Sequence, residues 1–302
     1  MSQFSTSVVV LTLNAKRQIW RLLECLLAQT SVPNEILVID SSSDDGTPEE
    51  VRRFSSCDGG EVVRLVEISR AEFDHGGTRR RAIEETTGDL VLFLTQDAMP
   101  ADSYYIERLI CPFSDGHVAI SSGRQIARTD AVKFERLVRE FNYPDASFVR
   151  TKNDLPTYGI KTFFTSDVCS AYRRTAYFSI GGFPLHCNTS EDMYLAIRAI
   201  EQDWSIAYVS DACVIHSHNL TPREQFKRNW QVGYFLQTQY DHLRQISEVG
   251  EGARLFKCVT LRLMQDGDVP QLLAFCIDCI ARFLGNRFGR NAARKDERML
   301  YS

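Results

Sequence analysis

A chain of 302 residues with 44% hydrophobic and 25% charged side chains has an ordinary globular composition; that excludes disordered and fibrous architectures and suits one large α/β domain with a helical appendage, or two domains. No apolar run approaches the roughly 18 residues of a membrane-spanning helix, and the N-terminus lacks a basic n-region and cleavage site, so a soluble, unprocessed, cytoplasmic protein is expected. The net charge of −4 divides unevenly, with 22 Lys+Arg against 30 Asp+Glu in residues 1–221 (−8) and 13 against 9 in residues 222–302 (+4); without a basic stripe interleaved with aromatics this disfavours nucleic acid and points the C-terminal part to an anionic membrane surface.

In chain order, residues 8–13 form a continuous apolar run, the pattern of a strand buried on both faces. A helix is predicted over about 17–29, with Leu22, Leu23, Leu26 and Leu27 on one side, and Pro33 ends it. Residues 35–40 read as the second strand, 41–46 as turn chemistry, and Pro48 sits near the first turn of the next helix. A strand over 62–68, a helix reaching Thr87 and a strand over 89–94 follow. This alternation implies right-handed βαβ crossovers and a largely parallel sheet. Beyond it, 118–122 is a strand, 131–141 a helix, 143–157 a loop and 212–215 a strand. Past Pro222 the pattern turns helical: Phe226, Trp230, 233–235 and Tyr240 share a face. Leu272, Leu273, Cys276, Ile277, Ile280, Phe283 and Leu284 mark a second amphipathic helix. The nine cysteines are odd in number and irregularly spaced, which favours reduced, buried thiols, and Cys276-Ile-Asp-Cys279 reads as core packing.

In an open α/β sheet, ligands collect beyond the carboxyl ends of the strands. Thr12 and Asn14 end the first strand, Asp40 with Ser41–Ser43 the second, and Thr95-Gln96-Asp97 the strand over 89–94. Asp40 suits a ribose hydroxyl or a base imide, and equally a turn-forming role. There is no GxGxxG after the first strand and no Walker loop.

Several segments together resemble the inverting GT-A glycosyltransferases of the family-2 type. They are the opening Val-Val-Val-Leu-Thr-Leu-Asn, Ile-Leu-Val-Ile-Asp-Ser-Ser-Ser-Asp-Asp-Gly-Thr, and Gly-Asp-Leu-Val-Leu-Phe-Leu-Thr-Gln-Asp-Ala-Met-Pro over 88–100. Phe-Asp-His-Gly-Gly-Thr-Arg over 73–79 and His-Ser-His-Asn over 216–219 resemble the rhamnosyltransferase branch. The resemblance covers about residues 8–240. It implies a GT-A (nucleotide-diphospho-sugar transferase) fold over 1–221, with a nucleotide-sugar half to about residue 100, an acceptor half beyond it, and a helical extension over 222–302.

It also implies roles. A Mn2+ or Mg2+ ion bridging the donor's diphosphate suits hard oxygen ligands with an imidazole among them. The family's Asp-X-Asp is Thr95-Gln96-Asp97 here, so Asp97 carries the carboxylate alone, and His216 is expected to complete the metal sphere with His218 on a phosphate or the acceptor. Alternation along an extended segment lets both imidazoles face one site. The Glu191-Asp192 pair matches the family's acidic pair, with Asp192 as base, Ser190 as helix cap and the positive helix end holding Asp192 ionised. Gly76 and Gly77 are expected to let backbone approach a ligand, with Arg79 at the nucleotide and Asp74 and His75 reading sugar or base. Arg80 stands where the family has Asn, and Arg81 reads as a solvated helix face. The implied donor is dTDP-rhamnose, and the implied acceptor is a saccharide or lipid-linked oligosaccharide. A UDP-hexose donor, or nucleotide-sugar binding without transfer, are the alternatives. Arg282, Arg287, Arg290, Arg294, Lys295 and Arg298 beside the apolar 272–284 face suggest in-plane membrane contact; packing on the catalytic domain or a homo-oligomer contact compete for the same face.

Overall fold

The computed structural model describes residues 4–243 and 249–300. Strands and helices alternate as β1 (Thr6–Thr12), α1 (Lys16–Leu27), β2 (Glu35–Asp40), α2 (Thr47–Ser55), β3 (Val63–Glu67), α3 (His75–Glu85) and β4 (Leu90–Thr95). After them come β5 (Met99–Pro100), α4 (Tyr105–Ile110), β6 (Val118–Ile126), α5 (Lys133–Asn142), β7 (Phe148–Arg150), α6 (Leu155–Tyr158), β8 (Cys169–Arg173), α7 (Arg174–Ser179), α8 (Glu191–Glu201) and β9 (Ser205–Ile215). Four helices close the chain: α9 (Pro222–Thr238), α10 (Tyr240–Leu243), α11 (Val249–Gln265) and α12 (Val269–Leu300).

Among the described residues the sheet runs β3-β2-β1-β4-β8-β6-β9-β5, with β7 also on β9. Strands β3, β2, β1 and β4 are parallel, β8 is antiparallel to both β4 and β6, and β9 is parallel to β6. So β1, β2, β3, β4, β6 and β9 all point one way, and their carboxyl ends share one edge. The expected mostly parallel sheet is present, with β8 as the reversed strand in its middle. The apolar run of β1 is explained by helices on both faces: Val8 and Val10 pack with Leu22 and Leu23 of α1, while Val9 packs with Ala82 and Ile83 of α3. That is the arrangement that removes alternation from a central strand.

The C-terminal helices are built onto this body. Phe235, Leu236 and Leu243 join the same core as Leu195 and Ile206, and α5, α11 and α12 enclose Val138, Val259, Leu263 and Phe275. Helix α12 approaches α9 backbone to backbone: a Cβ on Gly289 would lie 1.9 Å from the Trp230 carbonyl oxygen, and one on Gly285 2.4 Å from that of Phe226. Gly289→Ala should therefore destabilise by about 1–3 kcal/mol, since the clash with backbone exceeds alanine's helix preference of roughly 1 kcal/mol; a lowered melting temperature checks this.

Several expectations change. Helices α4 and α11 are unforeseen, the 143–157 loop contains β7 and α6, and β9 is eleven residues long rather than four. Of the face over 272–284, Leu273, Ile277, Ile280, Phe283 and Leu284 point outward while Leu272 packs inward, because the inner side of α12 uses Phe275, Ala281, Gly285 and Gly289. The Tyr240 side chain lies outside the described residues. All nine cysteines are free as expected, but only Cys169 is fully buried, and Cys57, Cys111 and Cys258 are exposed.

Candidate active site

Two clusters stand at the shared strand edge. The first joins the ends of β4 and β9. Asp97 Oδ2 lies 3.4 Å from His216 Nε2 and 3.5 Å from His218 Nε2, and the three side chains converge within 4.8 Å as a group able to hold a metal ion. The alternation of 216 and 218 does bring both imidazoles to one point. It also sets His218 beside Asp97 and His216, among the three side chains that could hold an ion.

The proton on His216 is fixed by its neighbour. Gln125 on β6 receives Arg139 on its amide oxygen and donates from its nitrogen to Ser166 Oγ at 2.9 Å. Arginine only donates, so the atom 3.0 Å from His216 Nδ1 is an oxygen and Nδ1 must carry hydrogen. With that hydrogen on Nδ1, Nε2 is the ring nitrogen left to face the Asp97 carboxylate 3.4 Å away, the arrangement in which an imidazole can join a carboxylate around a cation. Burial would push the Asp97 carboxyl up, but its hydrogen bond and charge interaction with His216, then the charge interaction with His218, hold it well below its ordinary range. Asp97 is thus an anion at any working pH. The donor set, one carboxylate and two imidazoles, fits a divalent ion.

The second cluster is acidic and buried. Arg79 of α3 sends Nε to Asp167 Oδ2 and Nη1 to Glu191 Oε1, both at 3.0 Å, with all three side chains at most 7% exposed. Asp167 also accepts from Ser170 Oγ (2.7 Å) and the Tyr172 hydroxyl (2.5 Å). Asp192 has no such cation. Its Oδ1 accepts from its neighbour Met193 N at 2.7 Å, and its Oδ2 lies 3.4 Å from Asp167 N. Burial, then the charges of Glu191 and Asp167, push Asp192 up to about 8 against the weaker pull of Arg79. Three carboxylates share one guanidinium, and Asp192, which has no direct contact with it, is placed to hold a proton near neutrality. The segment before β8 links the clusters: Thr95 N donates to Val168 O at 3.2 Å, two residues from Asp97 and one from Asp167.

The sequence model of Glycosyl transferase family 2 matches residues 7–180. The chain belongs to that family. It is 35% identical to the O-antigen chain rhamnosyltransferase WbaN of Salmonella anatum, over 95% of this chain and 90% of that protein. Against the O-antigen chain rhamnosyltransferase RfbN of Salmonella typhimurium the identity is 35%, over 94% and 89%. Its fold is similar to that of the mannosyltransferase PcManGT from Pyrobaculum calidifontis, solved with GDP-Man and Mn2+: TM-score 0.59 at 17% identity, covering 98% of this chain and 74% of that one. These likenesses establish the GT-A fold.

Other expected site residues in this family 2 glycosyltransferase turn out to build the edge. The Asp40 carboxylate is enclosed and accepts from Thr12 Oγ1 (2.8 Å), Ser43 N (2.8 Å) and Ser43 Oγ (2.6 Å), so the turn-forming role takes its oxygens. Asn14, at φ 55, receives Asp44 N and donates its own N to Ser43 Oγ. Gln96 clasps the Leu13 backbone through both amide atoms, at 2.7 and 3.0 Å, and Thr95 precedes it in the turn. Asp74 caps α3 from Gly77 N at 2.7 Å. The two glycines stand close against protein: a Cβ on Gly76 would lie 2.2 Å from Pro184 O, and one on Gly77 2.5 Å from the Asp74 carboxylate. Arg79 faces the Asp167 and Glu191 carboxylates. His75, 3.1 Å from Arg79, is pushed down to about 4 by burial and that guanidinium, and is neutral. Arg80 and Arg81 pair with Glu84 and Glu85 on an open helix face. Ser190 makes no cap; its φ of 61 turns its hydroxyl away from that role.

Sequence reasoning missed Asp167, Gln125 and Arg139. A polar Thr-Ser-Asp entering an apolar strand, and a lone amide ending one, are their only local signals. Gln125→Leu should weaken metal binding about 10–100-fold by freeing the His216 tautomer, read by titrating Mn2+ into the purified protein.

Proposed function

We propose that this glycosyltransferase moves L-rhamnose from dTDP-rhamnose, with inversion, onto a hydroxyl of a saccharide, the physiological acceptor being a lipid-linked oligosaccharide of surface-glycan synthesis in the cytoplasm. One observation carries the chemistry: a carboxylate–imidazole cluster suited to a divalent ion stands one strand segment away from a partly buried carboxylate that binds a proton near neutrality. The sugar and acceptor rest on the 35% identity to the two Salmonella proteins.

Asp97, His216 and His218 would hold Mn2+ or Mg2+, whose charge offsets that developing on the leaving diphosphate. Asp192 accepts the proton of the acceptor hydroxyl as it attacks the anomeric carbon. Asp167 and Glu191 neutralise Arg79 and raise the proton affinity of Asp192. In this reading residues 1–100 take the nucleotide sugar, 101–221 the acceptor, and 222–302 support both.

Thermal shifts across a panel of nucleotide sugars, with Mn2+, Mg2+ or chelator, test it. Saturating dTDP-rhamnose with metal should stabilise by about 3 kcal/mol at a hundredfold excess over Kd. A response confined to a UDP-hexose would replace the donor, and binding without turnover on any acceptor would leave a nucleotide-sugar-binding protein.

A further inference from the structure

The side of α12 with the strongest apolar character is largely open; at its far end the Phe288 ring lies 6.1 Å from that of Phe226. Leu273, Ile277, Ile280, Phe283 and Phe288 are 61, 53, 58, 63 and 54% exposed, and their spacing by three to five residues sets them in one stripe. Along the same side the composition then changes, with Arg287, Asn291, Arg294 and Lys295 all exposed. Arg294 reaches only the Gln237 amide, and no carboxylate partners Arg287, Arg294 or Lys295 among the described residues. The Arg298 side chain lies outside the described residues. A bare stripe of this size marks an interaction surface.

Two features select the occupant. A second copy of the chain fits poorly: twofold pairing of this stripe with itself sets cations against cations, or lays them on the partner's apolar half. A bilayer surface accepts both halves. By length and composition α12 is apolar enough to cross a membrane, with a mean hydropathy of 1.2 in an 18-residue window, although it contains no unbroken apolar run of that length. Its inner side, however, is clamped to α9 through Gly285 and Gly289 and holds the Asp278–Arg282 ion pair at 2.6 Å. A helix fixed to protein along one side can lie in a membrane surface but not be surrounded by lipid.

We propose that the outer side of α12 seats in the plane of an anionic phospholipid surface. The apolar stripe enters the headgroup–acyl boundary, and Arg287, Arg294 and Lys295 meet lipid phosphates.

Flotation of the full chain with vesicles tests this. The protein should float with phosphatidylcholine containing phosphatidylglycerol, and much less with phosphatidylcholine alone or at high salt, where surface charge is screened. Leu273→Gln/Ile277→Gln/Phe283→Gln should cut the bound fraction about tenfold or more. Arg287→Gln/Lys295→Gln should remove the preference for anionic vesicles, with melting temperature unchanged in both variants. Absence of flotation with anionic vesicles would overturn the proposal. So would a concentration-dependent dimer, seen by light scattering and abolished by the apolar substitutions. Turnover on a water-soluble acceptor should be unaffected by these changes, which separates this result from the donor assignment.

Discussion

Asp192→Asn should lower sugar transfer by about 10²–10⁴-fold, the range of a lost general base, without loss of fold. Asn keeps the shape and the bond from Met193 N while removing one of three carboxylates that share Arg79, so the melting temperature should hold or rise. The pH profile is the sharper measurement. The active form of a base is the unprotonated one, and the Asp192 pKa stands at about 8 through burial and the neighbouring Glu191 and Asp167 charges. In the wild type, kcat/KM should therefore rise about tenfold per pH unit below that value and level off above it. A flat profile between pH 6 and 9, or an Asn variant with normal turnover, would remove Asp192 from the base role. The expectation that the N-terminus of α8 keeps Asp192 ionised is reversed. A helix end offers about half a charge, partly screened, and two full carboxylates in a buried setting outweigh it.

Arg79→Met should be the most destabilising single change, at about 3–5 kcal/mol, the cost of stranding buried charges by removing their partner. Both Asp167 and Glu191 lose a contact at 3.0 Å, and methionine fills most of the volume, so packing contributes little. The pH dependence follows from the raised carboxyls. Asp167 already sits above its ordinary range through burial, with Arg79 pulling down and Glu191 pushing up; without Arg79 it rises further. A carboxyl whose folded pKa exceeds its unfolded value of roughly 4 takes up a proton on folding. Its stability is present below the unfolded pKa and is lost as pH rises through the folded one. The variant should thus approach wild-type stability near pH 4–5 and fall furthest behind above pH 8. Urea midpoints across that range check it; a pH-independent difference would mean that Arg79 acts through packing alone.

What the sequence determined by itself was local. Apolar runs of strand length, helical spacing and turn residues depend on contiguous residues, so the elements from β1 to β4 lie within a few residues of their expected places. Strand-end chemistry is local too, which is why Asp97, His216 and His218 stand out from the amino-acid order alone, while Asp192 stands out through the resemblance to the family's acidic pair. The tertiary structure alone decided what those residues do to one another. Residues 79, 167 and 191 meet because β8 runs backward between β4 and β6, carrying Asp167 to the carboxyl ends of strands it does not resemble in pattern. The same folding hands Gln125 to His216, and turns the oxygens of Asp40 and the glycines of α3 inward to brace the edge. It also leaves the apolar stripe of α12 outside, since close approach to α9 requires the glycine side of that helix. Hydrophobic pattern records which residues avoid water; which neighbour shields each of them, or whether a lipid does, is a property of the packed chain.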